Sequence, residues 1–142
     1  MKVEDILQVK GNEVVSVIES DSIRSAASTL GSRNIGAVIV KGDGDGIVGI
    51  LSERDIVRHV GSKGADALNE KIAACMTPNP FTCTSATTID ELMKMMTDKR
   101  IRHMPVVDNG ALIGVVSIGD VVKRKIQQAE QEAEDLKEYI SG

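Results

Sequence analysis

The sequence predicts a mixed α/β (α+β) fold built from two pseudo-symmetric β-α-β-β-α repeats, and three observations carry that reading. A seven-residue stretch occurs twice, as Gly49-Ile50-Leu51-Ser52-Glu53-Arg54-Asp55 and as Gly114-Val115-Val116-Ser117-Ile118-Gly119-Asp120, each time followed by an aliphatic pair, Ile56-Val57 or Val121-Val122. The spacing between matching positions is nearly constant: Ile23 to Ile89 and Ile35 to Ile101 both give 66 (89 − 23; 101 − 35), and Ser52 to Ser117 gives 65 (117 − 52), one residue being lost from the second turn. Finally, 142 residues divide into halves of about 65, near the lower limit for independent folding, so the halves are expected to share a core.

Taken in order, residues 1–12 hold a short amphipathic piece (Val3, Ile6, Leu7, Val9) that ends at Gly11-Asn12 and is expected to pack as an arm or leading helix. Glu13 to Val17 alternates as a strand does, and Ser20-Asp21-Ser22 is a cap cluster for a helix running through Leu30, with Ile23, Ala26, Ala27 and Leu30 on one face. Gly36 to Val40 reads as a buried strand, Lys41 to Gly46 as a hairpin turn, Gly46 to Leu51 as the returning strand and Asp55 to Val60 as the next helix. The second half repeats the order. Asn79 to Cys83 is the expected first strand, Thr87-Thr88 caps a helix over Ile89 to Lys99, Met104 to Val107 and Leu112 to Val116 flank the Asp108-Asn109-Gly110 turn, and the closing helix starts near Ser117. Between the halves, Gly61 to Met76 reads as a loop with a short helix, Asp66 to Ala74, after which Pro78 and Pro80 favour extended backbone. The last helix continues to about Tyr139. Its tail reads as a solvated end, but Val121, Val122, Ile126, Ala129, Ala133, Leu136 and Ile140 form a thin stripe that could pack on a second subunit.

Composition narrows the function. A net charge of −4 and only two aromatic residues, Phe81 and Tyr139, argue against nucleic acid, which needs a basic surface or a stacking platform. Any purine bound here must lie between aliphatic side chains. No apolar run approaches the ~20 residues of a membrane span, and MKVEDILQVK lacks a signal-peptide pattern, so the chain is expected to be cytoplasmic. Cys75 and Cys83 form no CxxC pair and have no ligand partners at metal spacing; they read as reduced structural thiols, with no metal expected.

In the repeated stretch a buried strand turns directly into a helix, with Ser52 or Ser117 at the N-cap and Asp55 or Asp120 three residues on. Two readings are open. The serine and aspartate can simply satisfy free N–H groups and the helix dipole, at roughly 0.3–1 kcal/mol each. Alternatively, the helix N-terminus meets an anion while the aspartate takes a ribose diol through charge-assisted hydrogen bonds. Its recurrence in matching surroundings favours the second.

With the strand Ile101-Arg102-His103-Met104-Pro105-Val106-Val107-Asp108, the lead-in Met76-Thr77-Pro78-Asn79-Pro80-Phe81-Thr82 and the first-half counterpart Asn34-Ile35-Gly36-Ala37-Val38-Ile39-Val40, the chain resembles a stand-alone tandem CBS-domain pair. The divisions expected are an N-terminal arm at 1–12, CBS domains at 13–68 and 76–132, and a helix end at 133–142. The resemblance implies three strands and two helices per repeat, packing of the repeats through their sheets, ligand clefts between them, and a flat homodimer. It also implies a regulatory module that needs no cofactor but binds AMP, ADP or ATP, and in some members NAD(H) or S-adenosylmethionine, and that acts on an unknown regulated protein. Carried over, the second repeat's site would use Asp120 for the ribose, Ser117 with Gly119 near the α-phosphate, and Asn79 and Phe81 at the adenine edge. Ile101 and Val115 would lie against its faces, Arg102 and His103 would meet the phosphates, and Gly36 and Ala37 would close it from the opposite side. The first repeat's site would use Asp55, Ser52, Arg54, Val15, Ile35 and Ile50, with Arg58 also within consideration. There Gly36-Ala37 replaces Arg102-His103, which points to weaker or different phosphate recognition.

Two other classes compete. An enzyme would have to draw on His59 and His103 with Cys75 or Cys83, yet no recognisable catalytic constellation accompanies them. The Gly42-Asp43-Gly44-Asp45-Gly46 run resembles a calcium loop without its later acidic ligand and reads better as a hairpin turn. A structural dimerisation module with no physiological ligand is the remaining alternative.

Overall fold

The computed structural model describes residues 1–44 and 46–141. Asp45, within the expected hairpin turn of the first half, and Gly142, within the expected helix end, lie outside the described residues. The chain forms α1 (Val3–Lys10), β1 (Ser16–Ile18), α2 (Ile23–Arg33), β2 (Ala37–Lys41), β3 (Ile47–Ser52) and α3 (Glu53–Lys63). Two 3-10 turns follow, Ala65–Asn69 and Ile72–Ala74, then β4 (Thr77–Pro78), α4 (Ile89–Lys99), β5 (His103–Asp108), β6 (Ala111–Ser117) and α5 (Ile118–Ser141).

Local chemistry starts and stops the helices where the repeat puts them. Ser22 Oγ accepts from Ser25 N–H at 3.1 Å to open α2, and Thr88 Oγ1 accepts from Glu91 N–H at 3.1 Å to open α4. Both helices end on a left-handed residue, Asn34 (φ 53°) and Arg100 (φ 56°), whose N–H groups return to carbonyls of the last turn. The same face of each helix then turns inward.

The chain divides into two units, Val14–Phe81 and Met1–Glu13 with Thr82–Gly142. In the first, Val17, Ile23, Ala26, Leu30, Val38, Val40, Leu51 and Ile56 are buried together. In the second, Cys83, Ile89, Leu92, Met96, Met104, Val106, Val116 and Val121 take the same places one by one. Each unit thus has a buried cluster of its own.

A borrowed segment helps supply each cluster. The 3-10 segment that precedes the second repeat belongs to the first unit: Ile72 is fully buried there, with Ile72 N–H donating to Asp21 O at 2.8 Å and Ile23 N–H to Glu70 O at 2.9 Å. Helix α1, which precedes the first repeat, belongs to the second unit: Val3 is fully buried, Val3 N–H donates to Thr87 O at 2.9 Å and Ile89 N–H to Met1 O at 3.0 Å. The residues expected to form a connecting loop are thus a structural part of the first unit. The single short helix expected at Asp66 to Ala74 is two 3-10 turns interrupted at Glu70 and Lys71, the residues that pair with the start of α2.

The sheets differ between units. In the first, the order is β1-β2-β3-β4, with β1 parallel to β2 and the other neighbours antiparallel. Among the described residues the second has only the β5-β6 hairpin, and the strand expected at Asn79 to Cys83 is reduced to a single parallel bridge, Cys83 to Val106. Proline explains the loss. Ile39 N–H donates to Val15 O at 3.1 Å, but the matching position in the second repeat is Pro105, which has no N–H to give. Asn79 adds to it, adopting a left-handed φ of 49° between Pro78 and Pro80 instead of the extended backbone expected there.

Candidate functional site

The two repeated serine–aspartate pairs fold into reciprocal capping boxes of matching geometry. Ser52 N–H donates to Asp55 Oδ2 at 2.9 Å and Asp55 N–H to Ser52 Oγ at 3.2 Å. Ser117 N–H donates to Asp120 Oδ2 at 2.9 Å and Asp120 N–H to Ser117 Oγ at 3.2 Å. The helix-capping role is therefore met in both copies. It uses only one carboxylate oxygen, and Oδ1 of each aspartate has no hydrogen-bond partner among the described residues.

The copies diverge in what approaches Oδ2. Lys10, the last residue of α1, places Nζ 2.8 Å from Asp120 Oδ2 and donates to Val115 O at 2.9 Å. No cation holds that place at Asp55 among the described residues. Burial pushes the Asp120 carboxyl up, but the Lys10 ammonium and the Ser117 N–H outweigh it and hold the group below the usual aspartate range. Asp120 and Lys10 line a groove of about 250 Å³ along α1 and α5, together with Ile6, Val9, Lys123, Arg124 and Gln127. Three cations and one acid face this space, a local positive excess on a chain of net charge −4. Arg124 is fixed there by donating to Asp5 O at 2.7 Å and to Gln127 Oε1 at 3.1 Å.

Within the second unit the structure brings Ile101, Arg102, His103, Val115, Ser117, Gly119 and Asp120 to one end of the β5-β6 hairpin. His103 pairs with Ser117 across the sheet, and Ile118 N–H donates to Arg102 O at 2.8 Å. The first unit repeats the arrangement with Gly36 and Ala37 in those places: Ala37 pairs with Ser52, and Glu53 N–H donates to Gly36 O at 3.0 Å. Val15, Ile35, Ile50, Ser52, Arg54 and Asp55 belong to this unit, with Arg54 exposed. Asn79 and Phe81, assigned to the second repeat's site, lie in the first unit, and both are exposed. Lys10 is the residue that sequence reasoning missed. A lysine ending an amphipathic helix is unremarkable locally, and its partner stands 110 positions away.

Of the groups that an enzyme would have drawn on, the two thiols are held protonated and His59 is paired with Glu70. Cys75 has its thiol pushed up to about 11 by burial and the nearby Asp55 and Glu70 carboxylates, and Cys83 to about 12 by burial and Asp108. Both stay protonated at neutral pH and are poor nucleophiles. His59 Nε2 lies 2.7 Å from Glu70 Oε2, and Lys63 Nζ 3.2 Å from Glu70 Oε1, tying α3 to the borrowed segment. Among the described residues, no cluster of His, Cys, Asp and Glu is arranged to hold a metal ion, and no helix is long and apolar enough to cross a membrane.

Comparison with known proteins agrees with this architecture. The profile of the CBS domain family matches residues 3–62 and 71–126. The crystal structure of the CBS-domain containing protein ATU1752 from Agrobacterium tumefaciens superposes with a TM-score of 0.85 at 44% identity, over 87% of this chain and 92% of that one. The CBS domain protein PAE2072 from Pyrobaculum aerophilum, complexed with AMP, matches with a TM-score of 0.75 at 28% identity, over 84% of this chain and 89% of that one. The Arabidopsis thaliana CBS domain-containing protein CBSX3, mitochondrial, is 32% identical over 99% of this chain and 72% of its own length. Two matched repeats, each closing on a serine-capped helix with an aspartate at its mouth, make this chain a member of the CBS domain family, in the form of a tandem pair.

Proposed function

We propose that the chain is a non-catalytic, cytoplasmic regulatory module. Its repeats, 13–68 and 76–132, bind adenine nucleotides (AMP, ADP, ATP or NAD(H)) and report energy or redox state to a separate regulated protein. The observation that carries the reading is the setting of Asp120: an acid held at a helix mouth by one oxygen, with the other open, beside Lys10, Lys123 and Arg124. A ribose diol offers a carboxylate two donors, and phosphates find the adjacent cations. That PAE2072 was crystallised with AMP supports the ligand class.

On this reading Ser117 and Gly119 sit near the α-phosphate, Ile101 and Val115 against the base, and Arg102 and His103 at the phosphate end. The ribose displaces Lys10 from Asp120. That exchange costs little, since a partly exposed pair is worth about 0–1 kcal/mol, and the freed ammonium then meets the phosphate. Asp55 with Ser52, Arg54, Val15, Ile35 and Ile50 forms a second, weaker site without such a cation.

Thermal unfolding with adenosine, AMP, ATP and NAD tests the proposal. A ligand at 100 times its dissociation constant adds about 2.7 kcal/mol to stability. Asp120→Ala is expected to remove most of the shift and Asp55→Ala less of it, while Lys10→Met should weaken AMP about tenfold relative to adenosine. No shift with any of these compounds would leave a structural dimerisation module in its place.

A further inference from the structure

The last helix holds an apolar stripe that its own unit does not use. Val121 turns into the core and so leaves the stripe that the sequence had assigned to it. The remaining members, Val122, Ile126, Ala129, Ala133, Leu136 and Ile140, are spaced 4, 3, 4, 3 and 4 residues apart. This is an uninterrupted heptad pattern, with Val122, Ala129 and Leu136 at d and Ile126, Ala133 and Ile140 at a. The large members are exposed to water, Leu136 by 59% and Ile140 by 75%. From residue 129 to the end of α5 every side chain is exposed. An unpacked helical end of that length is marginal in water, because helices in proteins are held chiefly by burying an apolar face.

The flanking charges say what covers it. The g positions are Lys125, Glu132 and Tyr139, and the e positions Lys123, Glu130 and Lys137. In a parallel pair in register, each g residue faces the e residue about five positions on in the other helix. Glu132 then meets Lys137 of the second copy, and Lys125, already 2.8 Å from Asp90 of its own chain, is next to Glu130 of the second copy. Both contacts are attractive. An antiparallel pair over the same stripe would set Glu130 against Glu130, Glu132 against Glu132 and Lys123 against Lys137, all repulsive. Within the helix, Gln131 donates to Asp135 at 2.9 Å on the face away from the seam, and Gln128 donates to one oxygen of Glu132 at 3.3 Å.

We propose that the C-terminal half of α5 is a homodimerisation element that pairs with the same segment of a second copy as a parallel, in-register coiled coil. The two alanine layers allow close approach at the middle of the seam, and the larger side chains at Ile126, Leu136 and Ile140 anchor its ends. The element is independent of the ligand reading and places the C-termini of the two copies side by side.

Analytical ultracentrifugation of the full chain, with Leu136→Glu/Ile140→Glu as the variant, reads the result directly. Both positions are exposed, so the thermal transition of the monomer should be unchanged. Wild type is expected to sediment as a dimer and the variant to dissociate at least a hundredfold more readily. A wild-type monomer would overturn the homodimer altogether, and a variant as dimeric as wild type would show that the copies meet through another face. Leu136→Cys fixes the orientation: mild oxidation should yield a disulfide-linked dimer on denaturing gels, and failure to cross-link would overturn the parallel register. Glu132→Lys should weaken the dimer and Glu132→Lys/Lys137→Glu restore it; no restoration would remove the charge argument.

Discussion

At the residue scale, the capping aspartate of the second repeat is held by an ion pair to a residue 110 positions away. Asp120 Oδ2 receives Lys10 Nζ at 2.8 Å, and its carboxyl is held below the usual range, against the upward push of burial. A carboxyl lowered on folding stabilises the protein above its unfolded pKa of about 3.9 and loses that contribution as pH falls through the folded value. Lys10→Met should therefore cost at most about 1 kcal/mol at pH 7. The gap from wild type is expected to close as pH falls below the unfolded value of about 3.9 and through the lower folded one, where Asp120 takes up its proton. Urea unfolding at a series of pH values measures this, and a gap independent of pH would show that the pair contributes only packing. The same comparison cancels Glu70, Asp90 and Asp108, which are also held low by their own partners.

At the element scale, the glycine that opens each repeated stretch has a steric reason. A Cβ at Gly114 would lie 2.7 Å from Leu7 Cδ2, and one at Gly49 would lie 2.7 Å from Met76 Sδ and 2.8 Å from Thr77 O. In both units an apolar side chain from outside the repeat presses onto the bare backbone of the hairpin's returning strand, β3 or β6. The two contacts differ in what can yield. Leu7 meets Gly114 with a terminal methyl that can rotate away, whereas Thr77 O belongs to the β3-β4 pairing, opposite Ile50, and is fixed. Gly49→Ala is expected to destabilise by about 1–3 kcal/mol and Gly114→Ala by less than about 1 kcal/mol. Chemical denaturation of the two variants decides, and equal effects would mean that β4 moves as freely as the Leu7 side chain. Burial of the borrowed segments predicts that Val3→Ala and Ile72→Ala each cost about 1–4 kcal/mol, although neither residue lies within the repeat whose core it completes.

For the whole molecule, sequence alone determined the twofold repeat, the helix caps and the position of both aspartates. These follow from signals a few residues long: Ser22 and Thr88 cap their helices through their own next turn, and the 66-residue offset carries each core position from one repeat to the other. The strand at Asn79 to Cys83 was misread because its pairing depends on a donor in another strand, and Pro105 supplies none. The leading helix packs against a repeat as expected, but the sequence did not say which, because an amphipathic stretch shows that it will be buried and not against what; the connecting segment reads as a loop with a short helix for the same reason. Tertiary structure alone decided that α1 completes the second unit, that residues 65–81 complete the first, and that Lys10 meets Asp120. Local hydrogen bonding is written into neighbouring residues, whereas an ion pair spanning 110 positions exists only once two helices have been packed side by side.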